Sequence, residues 1–322
     1  MPNASFEQMP QGTSGNCGSA ASCKGTGADG SGCATCASRS GAGKLFAEQN
    51  VQIRQTLGDI KHTLFVMSGK GGVGKSSVTV NVAVGLALKG FKVGILDVDI
   101  HGPSVPNLLG LSSGLDMDEA GERLLPAAYL PNLHVISTDS LLRDKNTAIL
   151  WRGPKKTAAI RQFLSDVRWG DLDFLVIDSP PGTGDEHLTI LKVIPEALCV
   201  MVTTPQEVSL ADVRKAINFL QHAHGKILGI VENMSGLFCP NCGHDIPLFK
   251  KGGGKALAEQ YSIPFLGAVA LDPISVVAAD AGKPVVLLKE DSIAKRDFLA
   301  LADTVAEATK QGVGVILSLP EE

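Results

Sequence analysis

One stretch constrains this chain more than any other: Ser68-Gly69-Lys70-Gly71-Gly72-Val73-Gly74-Lys75-Ser76-Ser77. It fits G-x-x-x-x-G-K-[ST], follows an apolar run of strand length (Thr63–Met67), and opens a stretch of helical length (Ser76–Lys89). Strand, glycine-rich loop and helix in that order make a cradle for phosphates. Glycines let backbone N–H groups turn inward, and the helix N-terminus adds positive potential. The whole segment Gly69, Lys70, Gly71, Gly72, Val73, Gly74, Lys75, Ser76 and Ser77 is expected to wrap a nucleotide, ATP by the motif. Lys75 would pair with its β/γ-phosphates, and the Ser76 hydroxyl would ligate Mg²⁺.

The rest of the chain past Lys61 alternates between strand-like and helix-like segments. Apolar runs occur at Lys92–Leu96, Leu133–Ser137, Phe174–Ile177, Leu198–Thr203, Ile227–Val231 and Pro264–Val269. Helical stretches occur at Lys155–Val167, Leu210–His224, Gly254–Tyr261 and Ser292–Lys310. Near-continuous apolar strands between amphipathic helices predict an α/β fold of the P-loop NTPase type, a mainly parallel sheet with helices on both faces. Ligands of such sheets bind at the carboxyl ends of the strands. Two acidic motifs stand at such ends, Leu96-Asp97-Val98-Asp99 and Phe174-Leu175-Val176-Ile177-Asp178-Ser179-Pro180-Pro181-Gly182. An apolar strand ending in Asp is the Walker B pattern, so Asp178 is expected to hold Mg²⁺ directly or through water. Asp99 is the candidate for orienting the attacking water. His101 and His187 read as polar loop residues. Asn233, after the strand Ile227–Val231, reads equally as a contact to an adenine edge or as a turn residue.

Composition matters most before residue 44. Of the first 43 residues, 27 are Gly, Ser, Ala or Cys, and four of the seven cysteines lie there. Such a segment cannot bury enough apolar surface to offset its ordering entropy, so it is expected to be flexible by itself. The division that follows is a cysteine-bearing segment with a linking helix over residues 1–58, then the ATPase domain over residues 59–322. Cys17, Cys23, Cys33 and Cys36 form C-x₅-C-x₉-C-x₂-C, enough thiols for a complete zinc or [4Fe–4S] site. Cys239 and Cys242, in Phe238-Cys239-Pro240-Asn241-Cys242-Gly243-His244, supply only half of a four-ligand site. A second pair, or the same loop of a symmetric partner, has to complete it. Spacing alone leaves zinc and iron–sulfur open. Cys199, inside an apolar run, reads as core.

The chemistry excluded is as informative. Seven cysteines without regular spacing do not make a secreted disulfide scaffold. No apolar run reaches the ~18 residues of a spanning helix, and no signal peptide is visible. The net charge of −4 offers no footprint for nucleic acid. A cytoplasmic protein acting on neither membrane nor nucleic acid is expected.

The phosphate loop, with its extra Lys70, resembles that of the MinD/ParA/ArsA class of ATPases. That resemblance implies that Lys70 reaches the nucleotide of a facing subunit. Taken with LDVDIHGPS, the WRGPKK stretch at Trp151–Lys156, DFLVIDSPPGTGDEHL and VENMSGLFCPNCG, the chain resembles the Mrp/ApbC family of P-loop ATPases over about residues 60–310. The family implies ATP-dependent assembly and transfer of iron–sulfur clusters to apo-proteins by a homodimer. It also implies that Cys239 and Cys242 of two subunits bridge one [4Fe–4S] cluster. The four amino-terminal cysteines resemble those of a eukaryotic cytosolic scaffold branch, though here Cys33 and Cys36 come last. The contrasting expectation is a zinc-stabilised ATPase of the MinD/ParA type with a positioning or regulatory role.

Overall fold

Strand alternation explains the two-sided core. In β1 (Ile60–Ser68), Leu64 and Val66 face one apolar cluster while Phe65 and Met67 face another. The structure, a computed structural model, describes residues 48–100, 102–111, 116–121, 123–138, 153–239, 242–246 and 248–318. Residues 48–322 behave as one compact unit.

A helix over residues 48–58, α1, precedes β1. The chain continues through α2 (Lys75–Leu88), β2 (Val93–Asp97), α3 (Val105–Leu108), β3 (Asp116–Met117), β4 (Leu124–Leu125), β5 (Ala127–Leu130) and β6 (Leu133–Ser137). Next come α4 (Gly153–Asp166), β7 (Leu172–Asp178), α5 (Asp185–Val193), β8 (Leu198–Thr203), α6 (Glu207–His222), β9 (Lys226–Phe238) and β10 (Asp245–Ile246). The last elements are α7 (Gly253–Gln260), β11 (Phe265–Leu271), α8 (Pro273–Asp280) and α9 (Ile293–Lys310).

The main sheet runs β10-β9-β8-β1-β7-β2-β6-β5, with β11 also paired to β9. Its central pairs are parallel, and only β5 and β10 run antiparallel to their neighbours. The expected mainly parallel α/β sheet is therefore present. One face is covered by α2 and α9, through residues such as Val80, Val84, Phe298 and Leu301. The other is covered by α4 to α7, through residues such as Ile160, Phe163, Ile190, Ile217 and Leu257. Helix α2 is buried on nearly all sides because its sequence, KSSVTVNVAVGLAL, is apolar all round.

Several boundaries differ from expectation. The stretch read as a linking helix is helical, but it belongs to the packed body: Ile53 is buried, and Thr56 Oγ1 donates to the Ser165 carbonyl at 3.1 Å. Strand β9 runs past Val231 to Phe238, so Asn233 lies within a strand and not in a turn. His187 is not a loop residue: it sits in the first turn of α5 and is 1% exposed. Helix α8 was not foreseen, although Asp272 caps it by accepting from the Ile274 amide at 3.0 Å.

Candidate functional site

Strands β1, β7 and β2 lie side by side, and their carboxyl ends bring Ser68, Asp178 and Asp97 to one edge of the sheet. The loop after β1 closes over that edge. Gly74 has φ of +79°, and a Cβ there would overlap the Asn233 amide, so only glycine fits. Gly69 has no room for a side chain either, because its Cβ would lie 2.4 Å from the Asp212 backbone. Val73 is buried in the core and anchors the loop.

Asp178 is the hub. Its Oδ2 accepts from Lys75 Nζ at 2.8 Å and from Ser76 Oγ at 2.6 Å, and its Oδ1 accepts from Thr79 Oγ1 at 2.6 Å. Lys75 and Asp178 are both buried, 6% and 0% exposed. Beside Asp178, Asp97 accepts from the Asp99 amide at 3.0 Å and from Ser137 Oγ at 3.1 Å. Burial, together with the neighbouring Asp178 carboxylate, holds the Asp97 carboxyl well above the usual range. Asp99 accepts from the Gly102 amide at 3.2 Å. Asp99, Ser104 and Pro181 join the phosphate loop around a cavity of about 290 Å³, at whose edge Lys70 stands half-buried.

Mg²⁺ suits this donor set. It binds through one or two protein oxygens plus substrate phosphates, and the Ser76 hydroxyl and Asp178 carboxylate already touch. Among the described residues, the Asp99 and Asp178 side chains face a single buried ammonium, Lys75, so a divalent cation would balance the charge.

The loop after β7 is tied to the same place. The Gly182 amide donates to the Ser68 carbonyl at 2.9 Å, and Pro181 lies against Gly71. His187 braces this loop from below: its Nδ1 accepts from the Gly184 amide at 3.2 Å. Its ring sits between Phe65 and Phe219, and burial lowers its pKa from 6.5 to about 4, leaving it neutral at neutral pH.

A second cavity of about 230 Å³ opens next to Gly74, Ser77 and Asn81, lined on its far side by Val269, Leu271, Val276 and Phe298. Asn233 faces it and donates from Nδ2 to the Val73 carbonyl at 2.9 Å. Its demonstrated partner is thus the phosphate loop.

The cysteine pair sits at the far end of β9. Asp245 pairs antiparallel with Phe238 and Ile246 with Leu237, so the chain reverses direction between Phe238 and Asp245, a hairpin that includes Cys239 and Cys242. The Cys239 amide donates to the His244 carbonyl at 2.9 Å, and the Gly243 amide to the Cys239 carbonyl at 2.8 Å. Cys239 is half-buried and Cys242 exposed. Among the described residues, no group of three or more His, Cys, Asp or Glu is placed to hold a metal ion, so no such third ligand stands beside Cys239 and Cys242. Cys199 is buried in β8, and burial pushes its thiol up to about 12, as a core residue requires. Cys17, Cys23, Cys33, Cys36, His101, Trp151 and Arg152 lie outside the described residues.

Sequence reasoning passed over Asp97 and Thr79. Both were legible in principle: Asp97 ends an apolar strand, and Thr79 follows Lys75 by one helical turn.

A phosphate loop, a Walker B carboxylate and a parallel sheet with this strand order define a P-loop NTPase. The chain belongs to the ParA group of P-loop NTPases described as NUBPL iron-transfer P-loop NTPases, whose family model matches residues 59–306. An iron–sulfur cluster carrier protein of Methanococcus maripaludis is 47% identical over 284 residues, 87% of this chain and 97% of that protein. The cytosolic Fe-S cluster assembly factor CFD1 of Saccharomyces cerevisiae is 50% identical over 226 residues, 68% of this chain and 76% of that protein. Among solved structures, a nucleotide-binding protein of Archaeoglobus fulgidus in complex with ADP is 38% identical. It matches at a TM-score of 0.65 over 76% of this chain and 98% of that one. The cell division ATPase MinD of Pyrococcus furiosus shares the fold at 23% identity and a TM-score of 0.54, covering 76% of this chain and 98% of that one. No helix among the described residues is long and apolar enough to cross a membrane.

Proposed function

We propose that this chain is an ATP-dependent iron–sulfur carrier or scaffold that works in the cytoplasm as a homodimer and passes a [4Fe–4S] cluster to apo-proteins. The observation that carries this reading is that one strand, β9, bears both the residue that touches the phosphate loop, Asn233, and the two-thiol hairpin at Cys239 and Cys242. Two thiols per chain make half of a four-iron site, and a second copy related by a twofold axis supplies the other half. The cluster is the cargo. Lys75 and the loop amides hold the phosphates, Ser76 and Asp178 hold Mg²⁺, and Asp99 orients the attacking water. Lys70, at the cavity edge, supplies charge to the partner's nucleotide. The cavity beside Asn233 is of a size and lining to take the base. Cys17, Cys23, Cys33 and Cys36 hold a second cluster near the chain's beginning. Nucleotide drives transfer only if it favours one hairpin geometry over another.

Anaerobic reconstitution of the full chain tests the reading by iron and sulfide analysis. Cys239→Ala with Cys242→Ala is expected to remove about two irons per chain, half of a shared four-iron cluster. Unchanged iron would sink the bridging site, and tightly held zinc without visible absorption would replace the carrier by a zinc-stabilised ATPase.

A further inference from the structure

The loop that carries the cysteines leaves and re-enters the body at a single side chain. Glu232 is fully buried on β9, with 0% exposure. Its Oε1 accepts from Ser235 Oγ at 2.5 Å and from the Gly252 amide at 2.9 Å, and its Oε2 accepts from the Gly254 amide at 2.6 Å. Cys239 and Cys242 lie between Ser235 and Gly252 in the sequence, on the hairpin closed by the Phe238–Asp245 pair. One carboxylate therefore clasps both ends of the cysteine hairpin.

The residue types around the clasp are matched to it. Gly252 has φ of +81°, and a Cβ at Gly254 would lie 3.1 Å from the Glu232 Cβ. A larger residue at Gly254 would push α7 away from the carboxylate, and at Gly252 the left-handed backbone itself favours glycine. On the outgoing side Met234 has φ of +56°, uncommon for a residue with a side chain, and Gly236 has φ of +81°. Strained backbone of that kind persists only where its surroundings hold it. Lys251 closes the base of the hairpin: it pairs with Asp245 and lies 4.6 Å over the Phe238 ring.

The neighbour of Glu232 gives the clasp its meaning. Successive residues of a strand point to opposite faces, so Glu232 and Asn233 look opposite ways from one piece of backbone. Asn233 holds the Val73 carbonyl of the phosphate loop, and Glu232 holds the hairpin. A nucleotide that shifts the loop beside Gly74 pulls on Asn233, and the same peptide unit carries Glu232.

We propose that Glu232 is a positioning residue that transmits nucleotide occupancy at Asn233 to the geometry of the Cys239/Cys242 hairpin. This deepens the carrier reading and rests on it for its biological use, though not for its physical test. The ordinary alternative is that Glu232 only caps α7. A capping role would set stability and hairpin mobility equally in every nucleotide state, whereas transmission affects the difference between states.

The test needs no cluster. In the apo full-length protein, alkylation rates of Cys239 and Cys242 are read by mass spectrometry without nucleotide, with ADP and with a non-hydrolysable ATP analogue. Cys17, Cys23, Cys33 and Cys36 serve as internal controls. In the wild type, nucleotide is expected to change the hairpin rates by roughly 5-fold or more, the lower end of ordinary coupling between sites. In Glu232→Gln that ratio collapses to about 1 while nucleotide affinity stays within about 2-fold. A ratio that survives in Glu232→Gln overturns the proposal, even if both rates rise together. Should that variant fold poorly, hydrogen exchange on the wild type decides. Protection of the Gly252 and Gly254 amides has to change with nucleotide in step with the cysteines, and constant protection beside changing cysteine reactivity overturns the clasp. Wild-type cysteines indifferent to nucleotide overturn it too. The iron analysis above speaks to the carrier reading alone, so the two can fail separately.

Discussion

Around Asp178, three side chains converge on one buried carboxylate, each within 2.8 Å. At the carboxyl end of β9, by contrast, the segment bearing Cys239 and Cys242 returns through a two-residue strand, and Cys242 is open to solvent. On the function proposed above, the nucleotide site is finished before its ligand arrives, because its donors come from the core of the sheet. The cysteine site, on the same reading, is half-built, and its exposed Cys242 leaves it open to a partner or a recipient. Preorganisation suits the stabilisation of developing charge. Incompleteness suits a cargo that has to leave.

That contrast predicts opposite costs for mutation. Lys75→Ala removes the ammonium from a group of buried carboxylates, so the loss is double. Breaking a buried pair of this kind costs about 3–5 kcal/mol. Removing one preorganised electrostatic contact lowers turnover by about 10²–10³-fold. Urea unfolding and ATP hydrolysis should both fall, and nucleotide-dependent cluster delivery should disappear with them. Normal delivery by Lys75→Ala would make the phosphate loop a relic. Alanine at Cys239 and Cys242, by contrast, should leave stability within about 0.5 kcal/mol, as for surface substitutions generally. A large loss there would show the hairpin to be a folding element and erase the distinction.

His187 sharpens the same comparison through pH. Its folded pKa of about 4 lies below the unfolded value of 6.5, so the unfolded chain takes up the proton first. The stability this group contributes is complete above 6.5 and is lost as pH falls towards 4. The loss should reach about 2 kcal/mol near pH ~5 and about 3 kcal/mol near pH ~4. Denaturant midpoints of the wild type and His187→Gln should therefore diverge at pH ~7.5 and converge on acidification. Parallel curves would mean that the ring is protonated without leaving its place between Phe65 and Phe219.

The two regions also differed in how well they could be read in advance. The phosphate loop and both acidic strand ends were legible because their chemistry demands fixed residue types directly after uninterrupted apolar runs. The extent of β9 was not, because Glu232, Asn233, Ser235 and Gly236 break its apolar run; Asn233 bonds the Val73 carbonyl and Ser235 bonds Glu232. Helix α8 escaped because Pro273-Ile274-Ser275-Val276-Val277 is apolar on every side and shows no helical period, although Asp272 before Pro273 is a cap signal. Helix α5 escaped because its start, Gly182-Thr183-Gly184, reads as loop. His187 was misplaced with it. The C-x₂-C spacing of Cys239 and Cys242 reads as half of a four-ligand site, but spacing alone does not choose between zinc and iron–sulfur, because both take thiolates.

The smallest effect on turnover is expected at Asn233, which bonds the phosphate loop from the strand that leads to the cysteines. Its Nδ2 donates to the Val73 carbonyl at 2.9 Å, and its side chain faces the cavity beside Gly74. Asn233→Ala removes one buried hydrogen bond, worth about 1 kcal/mol net, and leaves the Val73 carbonyl without that donor. If the asparagine supports binding of the whole nucleotide, KM should rise by roughly 5-fold with kcat nearly unchanged, the mark of an interaction made equally in ground and transition states. If it acts instead in the hydrolytic step, kcat should fall and KM stay. The second outcome would mean that the phosphate loop depends on β9 for its catalytic shape. The boundary between a finished site and an unfinished one would then lie beyond Asn233, nearer to Cys239.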